Sequence, residues 1–551
     1  MRGIWLLTTL ALAACGGGSA PTVILHNGAI WTGDSANAAA TAIAIRDERI
    51  IAVGSDADIL ALAGRGTVRE DLQGRRVIPG LHDAHWHLPT RRTANLVDAT
   101  TLEDLVGRLR AFERDLPQGA WLTGRGWTPN LFAPGAIHRE ALDAAFPDRP
   151  VIITDRDGHQ AIANSYALRL AAVSAETREP EDGVIVRDAR GTPTGLLQED
   201  AMTLVRRLLP PPDDREVYAA LRERMHEAAS QGLTAVQMAN SIGSVEAAVF
   251  AQAIADDSLL LRFRIAVPFS ASSTDAALSA YAAQAREADG PYLRFGIAKG
   301  MLDGTIDAGT AAMLEPYAGS QSTGLPMWEH DALVRTLARY DRVGLQVELH
   351  AIGDRAIRLA LDAFARVAAE NGARDRRGRI EHVEVPHPDD IPRFKALHVI
   401  ASTQAIFATP DATALQNYVP LLGPVRETRA MPFKALDDAG AIQAFGSDYP
   451  VFPMDPLLGI YTAVTRQLPD GTPSGGWQPQ HRISVEQALT HYTWGSAYAA
   501  FRENELGVLK AGFYADLVVL SEDIFVSDPQ ALLRAKPVLT MVGGRATYRS
   551  P

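Results

Sequence analysis

His85, Trp86 and His87 close a run, VIPGLHDAHWH, that reads as a β-strand. In a strand residues i and i+2 project to one face, so His85 and His87 share a face and could share one metal ion. Taken alone the pair is as compatible with two surface histidines. Other residues shift the balance. His350 ends VELH, His382 ends RIEH, Asp448 follows AFGS, and Lys299 lies in FGIAKG. Each stands at or just past the C-terminal end of a predicted strand. Imidazoles and a carboxylate gathered in one place are nitrogen and oxygen donors suited to a divalent ion in an open catalytic site. Packing accounts poorly for the set, because Val, Ile and Leu dominate the inner layers of parallel barrels.

The elements that must position these residues can be read from the pattern. Candidate strands cover 77–87, 233–238, 262–267, 294–302, 345–350, 379–383, 399–403 and 441–445, with helix-period segments such as 331–341 and 354–371 between most of them. This rhythm predicts an α/β chain with a distorted TIM (β/α)8 barrel, whose chemistry gathers at the C-terminal ends of its strands. Residues 88–231 are too many for one βα unit, so an α+β insertion is expected after the first barrel strand. Both ends are β-rich and predict one small β-sandwich domain built from the two termini. The expected division is 1–20 signal and tether, 21–79 with 505–551 sandwich, and 80–504 barrel, with 100–230 inserted.

Composition narrows the function. The 551 residues are 47% hydrophobic and 21% charged, which excludes a disordered or collagen-like chain. Asp and Glu outnumber Lys and Arg by 65 to 53, a net charge of −12, with no basic run. Phosphate neutralisation needs clustered cations, so no nucleic-acid partner is expected. The single cysteine allows no internal disulfide and no Cys-rich zinc site, which leaves soft-metal chemistry to the 14 histidines. That cysteine, Cys15, follows a positive start and an apolar run over 4–14. Such a run suits a signal segment and is too short to span a bilayer. Leu12-Ala13-Ala14-Cys15 resembles a bacterial lipobox, and residues 16–19 read as a flexible tether. The expectation is a lipoprotein of the bacterial cell envelope, lipidated at Cys15, with the lipid anchor as its sole membrane contact. Gly16 in place of an aspartate resembles sorting to the periplasmic face of the outer membrane.

Taken in order, VIPGLHDAHWHL, KGMLDGTIDAGTA, LHAIGDRAI, RIEHVE, GSDYPV and LGVLKAGFYADLVVL resemble the metal-dependent amidohydrolase superfamily in its YtcJ-like branch, over essentially 22–548. The resemblance implies a divalent metal, usually zinc, in one or two sites. By position, His85 and His87 resemble ligands of the buried metal, and His350 and His382 those of a second. Lys299 resembles a lysine carboxylated by CO2 that bridges two metals. Asp448 resembles a ligand that also serves as general base. A structural or substrate-binding lysine remains the alternative at Lys299, since an unmodified ammonium repels a cation.

A bound metal lowers the pKa of water toward about 7 and polarises a carbonyl. Asp448 can then take the proton and return it to a leaving nitrogen. The expected activity is hydrolysis of a non-peptide C–N bond (amide, N-acyl or N-formyl) of a small-molecule substrate by a metal-activated hydroxide. Alternatives are an ester, lactone or cyclic-amide hydrolase on the same centre and, from another class, a non-catalytic surface binding protein. Asp157 and His159, in DGHQAIANSYAL, are candidate substrate contacts. Asp303 is a candidate partner of a ligand, Asp354 a helix cap, and Trp121 and Trp127 core. His82 departs from the family pattern, and strand phase turns it away from His85 and His87. Thr128 and Ala405 also depart, and bear on the substrate pocket.

Overall fold

The computed structural model describes residues 20–551 apart from 38, 98 and 132–137. The expected signal and Cys15 lie outside the described residues. Among the described residues no helix is long and apolar enough to cross a membrane.

Eight parallel strands curl into a nearly closed barrel. They are β1 (Leu81–Trp86), β2 (Leu233–Met238), β3 (Arg262–Pro268), β4 (Leu293–Met301), β5 (Gln346–Ala351), β6 (Arg379–His382), β7 (Ile400–Gln404) and β8 (Gln443–Gly446). They pair in chain order from β1 to β8. The predicted (β/α)8 barrel is the fold the chain adopts. Its outer wall follows from alternation. Val347 and Leu349 of β5 face outward into a core shared with Leu333 and Leu337 of the helix His330–Arg342 and with Ile357 and Leu361 of the helix Asp354–Asn371. Those helical pairs recur at a spacing of four, the period of one buried face.

The ends of the barrel meet beside the candidate site. The Asp448 N–H donates to the His85 carbonyl at 2.7 Å. Gly446 permits that approach, since a Cβ there would stand 2.5 Å from the His85 nitrogen. The segment read as one strand over 77–87 proves to be two. Arg76–Pro79 pairs antiparallel with Leu517–Leu520, whereas β1 pairs parallel with β2. The break falls at Pro79-Gly80. Proline supplies no N–H for a continuous ladder, and a Cβ on Gly80 would stand 2.3 Å from Thr234 Oγ1.

Three further sheets surround the barrel. A four-stranded one draws on residues 23–71, and a six-stranded one joins short N-terminal strands to three strands between 517 and 549. Another six-stranded sheet is built between 94 and 199. Buried Arg262 ties β3 to the terminal strands, giving both Nε and Nη2 to Asp516 at 2.7 and 2.9 Å.

The foot of the barrel interior is polar where aliphatic layers were expected. Arg379 of β6 donates to Gln237 of β2 at 2.6 Å, and Arg264 of β3 donates to Gln346 of β5. These strands are not neighbours, so the bonds cross the interior. His82 lies in the field of Arg502, Arg379 and Arg264; burial first, and then these cations, push its imidazole down to about 3. It is neutral and absent from the cavity wall.

Candidate metal centre

A cavity of about 520 Å³ opens at the C-terminal end of the barrel. His85, His87, Lys299, His350, His382 and Asp448 all line it, and so do Asp157 and His159 from the inserted segment. The six candidate ligands and the two candidate substrate contacts therefore converge on one chamber.

The ring nitrogens are oriented by oxygen acceptors. His85 Nδ1 lies 2.6 Å from Glu381 Oε2, His87 Nδ1 lies 3.1 Å from Asn240 Oδ1, and His382 Nδ1 lies 2.9 Å from Gln404 Oε1. An oxygen acceptor holds the proton on Nδ1 and leaves the Nε2 lone pair free for a cation. His350 is turned the other way, with Nε2 at 3.1 Å from the Gly304 carbonyl. Asp448 Oδ1 stands 2.9 Å from His87 Nε2 and 3.5 Å from His85 Nε2. Donor atoms of His85, His382 and Asp448 all fall within 4.8 Å of one another. Two imidazoles and a carboxylate that close satisfy the donor chemistry of a divalent ion such as zinc. Lys299 Nζ approaches His85 Nε2 to 3.3 Å.

Electrostatics agrees with that use. Burial pushes His85, His350 and His382 well below the usual imidazole range, and neighbouring positive groups add to it. Each therefore binds a proton weakly and can offer a lone pair to a cation. Burial tends to raise the Asp448 carboxyl, but His85, His87 and Lys299 outweigh it and hold the group below its ordinary value. His159 runs the other way. Burial opposes its charge, yet Glu199, at 2.8 Å from Nδ1, with Asp155 and Asp157, pushes it up to about 9. Its ring centroid lies 5.1 Å from that of His350.

Backbone strain marks the same places. His382, Val383 and Asp448 have φ of 77°, 50° and 55°. A β-branched residue in the left-handed region is rare and persists where the surroundings enforce it. The kink also breaks strand alternation. Glu381 and His382 are consecutive and should face opposite sides, yet Glu381 reaches His85 and His382 reaches the cavity. Strict alternation therefore missed Glu381. The pair Arg379 and Glu381, charged at i and i+2 in a short strand, was the available signal. Asn240, Gln404, Asp307 and Glu384 carried no comparable signal.

Other readings find their place. Asp303 accepts from the N–H groups of Ala312, Ile352 and Gly353 at 2.9, 3.1 and 2.9 Å, and lies 3.6 Å from His350 Nε2. It fixes the loop after β5 behind His350. Asp354 is not the cap, which is Gly353; its carboxylate receives Leu314 N–H at 2.8 Å and pins a facing loop. Trp127 is buried core, while Arg125 reaches the cavity wall.

A (β/α)8 barrel with a histidine-rich donor set at its C-terminal mouth defines a metal-dependent hydrolase. The chain belongs to the amidohydrolase family, whose sequence profile matches residues 68–548. It is 31% identical over 536 residues to YtcJ of Bacillus subtilis (strain 168), a protein with an amidohydrolase name, covering 95% of this chain and 99% of that one. It is 26% identical over 542 residues to the N-substituted formamide deformylase of Arthrobacter pascens, covering 96% and 98%. Among solved structures, a metal-dependent hydrolase from Pyrococcus furiosus superposes with a TM-score of 0.68 at 26% identity, over 92% of this chain and all of that one. Hydrolysis of a small-molecule substrate follows from family and fold.

Proposed function

We propose that this hydrolase cleaves a non-peptide C–N bond, in an N-formyl or N-acyl amide. The observation that carries the reading is the ionised Asp448 carboxylate set between His87 and His85 at the cavity floor. A base in that position can take a proton from water and hand it to a departing nitrogen, which an amide needs and most esters do not. The formamide-cleaving relative supports the same bond class. His85, His87, His350, His382, Asp448 and a carboxylated Lys299 would hold one or two divalent ions. The metal, when bound, supplies Lewis acidity and acidifies water. Carboxylation would turn the Lys299 cation, 3.3 Å from a ligand nitrogen, into an anionic bridge. His159, charged through Glu199 and lining the cavity, would donate to the substrate carbonyl oxygen.

The test is metal content and turnover of mature protein purified without chelator. Expected are about two zinc-like ions per chain, as in a two-metal site, and loss of activity on chelation. N-substituted formamides should be cleaved faster than matched esters and lactones. One ion per chain removes the carboxylated lysine. Faster ester cleavage removes the C–N reading. No ion, even with added metal and bicarbonate, removes the mechanism.

We also propose that Cys15 is lipidated and holds the enzyme on the periplasmic face of the outer membrane. The lipobox-like Leu12-Ala13-Ala14-Cys15 supports this. Cys15→Ser should move activity from the membrane pellet to the soluble fraction and abolish labelling by a fatty-acid probe; unchanged labelling would refute it.

A further inference from the structure

The wall of the cavity contributed by the loops after β4 and β6 is acidic beyond what the metal centre uses. Asp307 lies against Asp157 and accepts Asn417 Nδ2 at 2.8 Å. Glu384, two residues past His382, is 5% exposed and lines the cavity. The charged groups around its carboxyl are themselves acids, Asp157, Asp303 and Asp448, and among the described residues no cation pairs with it. The Tyr418 hydroxyl faces the same carboxyl as its one loose donor, outside full hydrogen-bond geometry; Tyr418 is 8% exposed and its Oη is buried. A buried carboxyl on a cavity whose facing donor is that one loose hydroxyl is short of hydrogen bonds, and such a vacancy is expensive unless something fills it.

Arg156 acts on Asp307 across the wall, but no cation among the described residues pairs with Glu384. Arg156 is engaged by Asp411 at 2.8 Å and lies over the Phe452 ring at 4.7 Å. Arg125 gives Nη2 to the Arg156 carbonyl at 3.0 Å. Aromatic surface completes the pocket. Trp477 meets Tyr418 edge to face with centroids 6.5 Å apart, and Phe407 stacks on His382 at 6.0 Å. Carboxyl groups beside aromatic faces form a chamber suited to an organic cation.

We infer that the substrate carries, at the end remote from the scissile bond, a protonated amine received by Glu384, Asp307 and Tyr418. This rests on the C–N hydrolase reading and deepens it to a substrate class: N-acyl or N-formyl derivatives of diamines or of similar cationic amines. The ammonium supplies several N–H donors in one group, enough for both carboxyls and the hydroxyl. An uncharged alkyl end would leave these groups open.

The test uses metal-loaded protein and three probes of similar length: N-formyl-diaminobutane (cationic), N-formylpentylamine (neutral) and N-formyl-γ-aminobutyrate (anionic). Binding is read by calorimetry and turnover by release of formate. The cationic probe should be favoured over the neutral one by about 10–100-fold, the value of a charge-assisted hydrogen bond. That ratio should fall toward unity in Glu384→Gln and in Asp307→Asn. Equal handling of cationic and neutral probes by the wild-type protein overturns the inference and leaves the hydrolase intact. Preference for the anionic probe, through Arg125, also overturns it. Tight binding of the cationic probe without cleavage, lost in the two variants, supports the subsite and counts against the C–N reading. No binding of any probe overturns the subsite. The wild-type comparison stands even if one variant fails to fold.

Discussion

Asp448→Asn should lower kcat by about 10²–10⁴, the usual worth of a positioned general base. The substitution is chosen for its conservatism. Asp448 has a φ of 55°, a conformation that asparagine tolerates nearly as well as aspartate and alanine does not. The backbone bond to the His85 carbonyl survives as well. What disappears is the charge that His87 Nε2 meets at 2.9 Å and the capacity to accept a proton. An amide side chain still offers an oxygen to a metal but not a base to water. Metal affinity should weaken as one ligand loses its charge, so the assay is run at saturating metal with the bound ion counted by elemental analysis. Full occupancy with activity lost assigns the base. Activity within tenfold of wild type, at full occupancy, removes Asp448 from the proton path. A wild-type protein that turns over nothing on a broad panel of amides and esters would favour a binding protein instead.

The barrel was legible because its two periods are strong. Parallel strands buried on both faces read as apolar runs, and the helices between them carry stripes such as Leu333 and Leu337. The residues that converge on the cavity were legible because imidazole is unusual at a strand end, and the end of a barrel strand is a defined address. Less legible was anything that depends on broken alternation or on contact across the barrel. The left-handed φ of His382 and Val383 lets two consecutive residues, Glu381 and His382, serve one centre. Asn240 follows β2 and Gln404 ends β7, each beside the strand whose histidine it orients, so strand pairing and not sequence spacing brings them together. The division of 77–87 into two strands was hidden for a similar reason. Both halves read as extended, buried chain, and the demand for glycine at residue 80 comes from Thr234, over 150 residues later. Glu384 and Asp307 look like ordinary loop acids until the cavity forms around them.

Arg379→Met should destabilise the protein by about 3–5 kcal/mol, the penalty for removing one partner from a buried ionic network. Arg379 is fully buried. Its Nε donates to Glu381 Oε1 at 2.9 Å, Nη1 to Gln237 at 2.6 Å, and Nη2 to the Ala84 carbonyl and Ser402 Oγ at 2.7 and 2.9 Å. Glu348 approaches the same Nη2 at 3.4 Å. Methionine fills much of the volume but leaves Glu348 and Glu381 without the cation they share. Such a network is weak evidence for stability in itself, since an apolar core of the same shape often does as well. Its value here is orientation. Glu381 accepts a hydrogen bond from His85 Nδ1, and Arg379 holds Glu381 in place. Two effects should therefore separate. Adding Glu348→Gln to Arg379→Met removes one surplus charge and should recover part of the stability in urea melts. It should not recover metal affinity, which falls by about 10–100-fold when the group orienting a ligand is disturbed. Glu381→Gln alone should show the affinity loss with the smaller stability loss. If Arg379→Met melts within about 1 kcal/mol of wild type, less than the penalty of one unsatisfied buried charge, the foot of the barrel does not hold its carboxylates in the way described. If it melts early but binds metal as tightly as wild type, the network is structural and His85 takes its orientation from elsewhere.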